Sequence, residues 1–176
     1  MLNYKILLPA VLAMAVIIVA SNILVEIPIN DWLTWGALTY PLAFLVTDVT
    51  NRLYGASAAR KVVFFGFAVG VVASLYFATP RIAIASGSAF LVAQLFDVSV
   101  FNWLRDRVWW LAPLVSSVLG GILDTFLFFG LAFGGSGDPW LTWATGDLGV
   151  KWLVALVALG PYRLLSMLGR SAAPAS

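Results

Sequence analysis

The sequence predicts an all-α integral membrane protein, a bundle of six transmembrane helices. The chain of 176 residues is 62% hydrophobic and only 10% charged, whereas a soluble domain carries about 25% charged residues. Its mean hydropathy is +0.99, and the apolar residues form six runs near the ~20 residues that a bilayer-spanning helix needs. The net charge of +2 does not indicate nucleic-acid binding, because the few basic residues lie at the ends of these runs.

Each predicted helix follows one apolar run, and the breaks between runs contain glycine, proline or charged residues. Within a single transmembrane domain of residues 1–170, the helices cover residues 6–25, 34–53, 61–79, 82–103, 111–133 and 148–168. Residues 171–176 are predicted to form a disordered tail.

Two of these helices need comment. The first run could be a signal peptide, but it is about 20 residues long and a signal core is about 7–15, so we interpret it as a retained helix. The second run contains Tyr40-Pro41, and a proline inside a helix predicts a kink.

The basic residues predict the orientation. With the N-terminus inside, the inner helix ends carry eight of the ten basic residues, as the positive-inside rule requires. The inner group is Lys5, Arg52, Arg60, Lys61, Arg105, Arg107, Arg163 and Arg170. Arg81 and Lys151 are assigned to the outer ends, where one interpretation is that their stems reach to the interface. Both termini are therefore predicted on the cytoplasmic side of the membrane.

The absence of two residue types excludes several kinds of chemistry. The chain has no cysteine and no histidine. It therefore has no thiol nucleophile, no Ser-His-Asp triad and no HExxH zinc site. No metal, cofactor or nucleotide-binding loop is predicted, and the chain is not expected to be an enzyme.

One apolar stretch, Arg81 to Phe101, carries polar residues at helical spacing. Its polar and aromatic positions fall on one stripe of a helix: Ser86, Phe90, Gln94, Asp97 and Phe101. The stretch from Ser116 to Phe129 repeats the pattern, with Gly121 in place of the glutamine and Asp124 in place of Asp97. Two carboxylates in the same local frame indicate a site between two helices.

Three aspartates lie inside predicted helices: Asp48, Asp97 and Asp124. Each costs about 2.5–3.5 kcal/mol at the centre of a membrane helix, so each should be paired, protonated, hydrated or used. Asp48 could pair with Arg52 one turn away, and the other two could simply bond neighbouring helices. Because their helices run antiparallel, Asp97 and Asp124 should differ in depth by roughly 10 Å, which favours two separate contacts along one cavity.

The run TYPLAFLVTDVTNRLYGASAARKVVFFGF, residues 39–67, resembles the vitamin uptake transporter family, also called queuosine precursor transporters. The stretch that contains AQLFD, residues 93–97, and a second segment from Ile122 to Phe128 resemble the two paired motifs of that family. Gly121 departs from the glutamine usual in the second motif, and the last helix matches less clearly. The resemblance implies a six-helix inner-membrane transporter for a 7-deazaguanine such as preQ0 or preQ1, with an architecture like the substrate-binding subunits of energy-coupling-factor transporters.

The resemblance also implies a set of ligand contacts. A deazaguanine presents adjacent N–H donors that a carboxylate can accept, and a glutamine amide can bond the neighbouring carbonyl. The candidate substrate-binding residues are Gln94, Asp97 and Asp124, then Asp48, Asn22 and Arg81.

The sequence also allows other functions and other energy sources for uptake. The chain could be a binding subunit that needs a separate energising module, or a membrane assembly protein without transport. Burial disfavours the charged form of a carboxylate, so Asp97 or Asp124 could carry a coupling proton. Passive diffusion followed by trapping of the ligand explains the same residues.

Overall fold

The computed structural model describes residues 4–24, 27–30, 33–77 and 79–172. This part of the chain is helical apart from one small hairpin, which confirms the predicted all-α class. The elements in chain order are α1 (Tyr4–Leu24), β1 (Pro28–Asn30), β2 (Leu33–Thr34), α2 (Trp35–Thr39), α3 (Leu42–Tyr54), α4 (Ala56–Phe77), α5 (Pro80–Leu104), α6 (Leu111–Phe133) and α7 (Trp140–Ala172). Strands β1 and β2 pair antiparallel between α1 and α2.

Five helices in the described ranges are long and apolar enough to cross a membrane: α1, α4, α5, α6 and α7. Helix α6 has the bounds predicted from the sequence. Helix α5 begins at Pro80, where Thr79 provides the N-cap by accepting a hydrogen bond from the backbone N–H of Ile82. Proline is favoured at the first position of a helix, because the N–H group that it lacks would have no hydrogen-bond partner within the helix there.

The second predicted helix is broken at Tyr40-Pro41 into α2 and α3. The break is stronger than the predicted kink. Pro41 has no N–H to continue the hydrogen-bond ladder, and Phe44 instead donates its N–H to the Pro41 carbonyl. The 13 residues of α3 span about 20 Å, short of the ~30 Å hydrocarbon core. Helix α3 packs against α1, α4, α5, α6 and α7, so it is the central helix of the bundle.

The last predicted helix is longer than expected, since α7 begins at Trp140 and continues to Ala172. Its first turns lie before the predicted start at residue 148. In this added stretch, Asp147 accepts a hydrogen bond from Thr125 and pairs with Lys151. The predicted tail lies mostly outside the described residues.

The helices meet through small residues and apolar side chains. Helices α5 and α6 lie side by side at Gly120, where an added Cβ would lie 2.8 Å from Phe44 Cε1 and 3.3 Å from Asp97 Cβ. A larger residue at position 120 would therefore collide with Phe44. One apolar cluster joins α1, α4 and α5 through Met14, Val62 and Phe90. Large apolar side chains cover the outside of the bundle, as expected of surfaces that face lipid.

Candidate functional site

Two groups of polar side chains are buried inside this apolar bundle. The first, here called the carboxylate cluster, joins α3, α5 and α6 and consists of Thr47, Asp48, Gln94, Asp97, Ser116 and Ser117. The second, here called the lysine cluster, joins the α2–α3 turn to α6 and α7 and consists of Tyr40, Asp124, Thr125, Asp147 and Lys151. Burying polar groups in an apolar interior costs free energy unless they are hydrogen-bonded or paired. The partners of each group therefore matter for the stability and the function of the protein.

The carboxylate cluster is centred on Asp48 and Asp97, which are 2% and 0% exposed. Ser116 and Ser117 donate their hydroxyls to the two carboxylate oxygens of Asp48, at 3.3 and 3.2 Å. Asp97 lies beside Asp48 and Ser116. Neither aspartate forms an ion pair with a basic residue in the described ranges. The alternative in which Asp48 pairs with Arg52 is not observed, because Arg52 donates to the Tyr162 hydroxyl, at 2.8 Å, and to the Arg105 carbonyl.

Gln94 and Asp97 supply hydrogen-bonding groups that the described residues leave unsatisfied. The Gln94 Oε1 atom accepts from Thr47 Oγ1 at 2.7 Å, but Gln94 Nε2 and both Asp97 carboxylate oxygens have no hydrogen-bond partner among the described residues. The two residues are three positions apart on α5 and therefore on the same side of the helix. An unsatisfied buried group costs about 1–3 kcal/mol, and more when it is charged. Gln94 can therefore donate one hydrogen bond to a ligand through Nε2, and Asp97 can accept hydrogen bonds through its carboxylate oxygens.

The lysine cluster is fully connected. Lys151 Nζ lies 2.8 Å from Asp124 Oδ2 and 2.8 Å from Thr125 Oγ1, and it also contacts Asp147 Oδ2. The Tyr40 hydroxyl donates to the other Asp124 oxygen at 3.2 Å. Lys151 is only 6% exposed, so its interpretation as an interfacial residue is wrong. The two aspartates offset the cost of burying its charge.

A small cavity is lined by residues of both clusters. Asp48 and Ser117 of the carboxylate cluster and Lys151 of the lysine cluster line it, together with the aromatic rings of Phe44 and Tyr162. The cavity has room for about one water molecule.

The structure brings four of the six candidate residues to these clusters: Asp48, Gln94 and Asp97 to the first, and Asp124 to the second. As the depth argument predicts, Asp97 and Asp124 lie in separate clusters. Asn22 donates to the Ile18 carbonyl in its own helix, at 2.8 Å. Arg81 is exposed and donates to the Leu131 and Gly134 carbonyls at the end of α6.

The sequence interpretation missed the burial of Lys151 and its pairing with the half-buried Asp147. Asp147 and Lys151 are four residues apart, so they share one face of a helix, and this spacing next to an apolar run was the available signal. Tyr40 was noticed only for the proline that follows it.

Helices of this length, covered by apolar side chains and enclosing two polar clusters, indicate a multi-pass membrane protein. The chain belongs to the family described as "Putative vitamin uptake transporter", whose model matches residues 34–79 and 73–165. It is therefore a membrane transporter and not an enzyme, which agrees with the names of its relatives.

Three similar transporters come from different bacteria. The chain is 40% identical to a "Probable queuosine precursor transporter" of Haemophilus influenzae, over 76% of this chain and 72% of the relative. It is 36% identical to the "Queuosine precursor transporter" of Escherichia coli, over 94% of this chain and 89% of the relative. It is 31% identical to a "Probable queuosine precursor transporter" of Bacillus subtilis, over 73% and 69%. No solved structure matches the chain significantly.

Proposed function

We propose that this chain takes up a queuosine precursor, a 7-deazaguanine such as preQ0 or preQ1, across the bacterial inner membrane. The names of its relatives support the ligand class. The observation that supports a site for it is the pair of unsatisfied groups on Gln94 and Asp97.

The polar edge of a deazaguanine matches this pair. The edge offers two adjacent N–H donors and one carbonyl oxygen. The Asp97 carboxylate accepts both donors in a bidentate way, and the Gln94 amide donates to the carbonyl. Ligand binding then satisfies the three atoms that the described residues leave without partners. Asp48 stays bonded to Ser116 and Ser117 beneath the ligand, while Asp124 stays with Lys151.

The proposed transporter crosses the membrane six times within a single domain of residues 1–170. Helices α2 and α3 together form the second crossing, in addition to the five long helices. Broken helices near the middle of the membrane commonly form the substrate sites of transporters, and α3 carries Asp48 into the carboxylate cluster. The architecture would be like that of energy-coupling-factor substrate-binding subunits. Both termini would be cytoplasmic, so reporter fusions at Ser136 and at the C-terminus should report outside and inside, respectively. A C-terminal reporter signal from the periplasm would contradict this topology.

The cavity must widen to admit the ligand, because it now has room for about one water molecule. Helix α7 is one wall, and Lys151 joins it to α6 through Asp124. The proposed bound state therefore requires movement of side chains or helices around the cavity.

Growth in a precursor-biosynthesis mutant tests the function. Cells that express this chain and receive preQ0 or preQ1 should restore queuosine in tRNA, and cells with an empty vector should not. Failure of rescue by a chain that is shown to be inserted would contradict the proposal. Uptake by the purified chain in proteoliposomes then shows whether it works without an energising module, and an imposed proton gradient shows whether uptake is coupled.

A further inference from the structure

One aromatic side chain, Phe44, lies between the carboxylate cluster and the lysine cluster. Phe44 is four residues after Tyr40, which bonds Asp124, and four residues before Asp48. Phe44 and Asp48 both belong to α3 and, being four residues apart, share one face of that helix. Tyr40 lies in the turn before α3 and bonds Asp124. Along the chain, Phe44 therefore lies between a residue of the lysine cluster and a residue of the carboxylate cluster.

The Phe44 ring forms part of the cavity wall next to Asp97. It is 4% exposed and lines the cavity together with Asp48 and Lys151, whereas Gln94 and Asp97 are not among the lining residues. A Cβ at Gly120 would lie 2.8 Å from Phe44 Cε1 and 3.3 Å from Asp97 Cβ. The edge of the Phe44 ring and the Cβ of Asp97 therefore both pack against Gly120. The ring thus lies at the boundary between the cavity and the unsatisfied groups of Gln94 and Asp97.

The neighbouring aromatic rings are held by other partners. Tyr162 also lines the cavity, but its hydroxyl accepts from Arg52 and its ring packs edge-on against Phe101 at 6.2 Å. Phe90 packs edge-on against Tyr40 at 6.2 Å. Phe44 forms no ring pair with another aromatic side chain in the described part of the chain.

We propose that Phe44 positions the substrate: its ring separates the cavity from Gln94 and Asp97, and turns aside to stack on the flat face of the ligand once the polar edge reaches them. This inference rests on the proposed function. Phe44 would contact the face of the bicyclic ring, whereas Gln94 and Asp97 would contact only its polar edge. Offset stacking on an aromatic face gains from the area of the ligand ring, so the contact selects for a two-ring ligand.

The test compares two ligands with the same polar edge, 7-deazaguanine and the single-ring isocytosine. Their affinities are measured by calorimetry on the purified full chain in detergent. The variants are Phe44→Leu and Phe44→Met, with Phe44→Tyr as the ring-preserving variant. The matched control is Phe65→Leu, since Phe65 is 46% exposed on α4. Thermal unfolding of each variant reports whether it is folded.

We expect Phe44→Leu and Phe44→Met to weaken 7-deazaguanine binding by about 10- to 100-fold. Isocytosine binding should change by less than about 3-fold, and Phe44→Tyr and Phe65→Leu should bind like the wild type. An equal loss for both ligands would mean that Phe44 only supports the packing and would overturn the inference, as would unchanged binding of 7-deazaguanine. A wild-type protein that binds neither ligand overturns the proposed function and this inference with it. Binding that is lost in Asp97→Asn but unchanged in Phe44→Leu overturns the inference alone.

Discussion

Lys151 and Asp124 form an ion pair of 2.8 Å between α6 and α7, with both side chains almost fully buried. Each member of the pair has a second hydrogen-bonding partner. Lys151 also contacts Asp147 on its own helix, and Asp124 also accepts from Tyr40. If α7 moves away from α6, each charged group therefore keeps a hydrogen-bonding partner, which lowers the free-energy cost of separating them.

Replacing Lys151 with methionine should strongly destabilise the protein, because Asp124 and Asp147 are then left without a cation. Removing one partner of a buried pair costs about 3–5 kcal/mol. The free energy of unfolding in a denaturing detergent titration measures the effect. Arg60→Met, at an exposed position, is the control. The double variant Lys151→Met/Asp124→Asn should recover part of the loss, and a single variant as stable as the wild type would contradict the pairing.

Two neighbouring glycines offer a matched comparison. Gly120→Ala places a Cβ 2.8 Å from Phe44 Cε1, whereas Gly121→Ala places one 3.6 Å from Lys151 Cβ, an ordinary contact. We expect the first variant to be destabilised by about 1–3 kcal/mol from overpacking and to lose uptake, and the second to unfold like the wild type. Thermal unfolding and uptake are measured on both. Equal behaviour of the two variants would show that the contact between Gly120 and Phe44 is not tight.

Replacing Gln94 with leucine should separate stability from function. The substitution removes the unsatisfied Nε2 donor along with the bond to Thr47. Deleting a buried donor that has no partner removes its desolvation cost, so the melting temperature should be unchanged or raised. Ligand affinity should fall by about 10-fold or more, since one hydrogen bond to the ligand is lost. A large drop in melting temperature with unchanged affinity would assign Gln94 to packing.

The sequence predicted those features that depend on one segment at a time. The bounds of α6 and the burial of Phe90, Gln94, Asp97 and Phe101 follow from local hydrophobicity and helical spacing. Pro41 predicted a disturbance of the second helix at the position where the structure has a break.

Local hydrophobicity and helical spacing could not predict the contacts between different segments. Asp48 could have paired with Arg52 within its helix, but it lies beside Asp97, on another helix that packs against α3. Lys151 was assigned to the outer surface from its place in the chain, since the positive-inside rule counts charges and does not show which way a side chain turns. Its burial depends on Asp124, a residue of another helix.

The central claim is that Asp97 binds a 7-deazaguanine during uptake, and the most direct test is uptake of radiolabelled preQ1 by cells that express Asp97→Asn. Asparagine keeps the shape of the side chain but replaces one acceptor oxygen with a donor, so it cannot accept both ligand N–H groups. The control is Asp106→Asn, at an exposed position. We predict that Asp97→Asn is inserted at the wild-type level and loses uptake by about 100-fold or more, while Asp106→Asn transports normally. Wild-type uptake by Asp97→Asn would contradict the account and place the substrate site elsewhere.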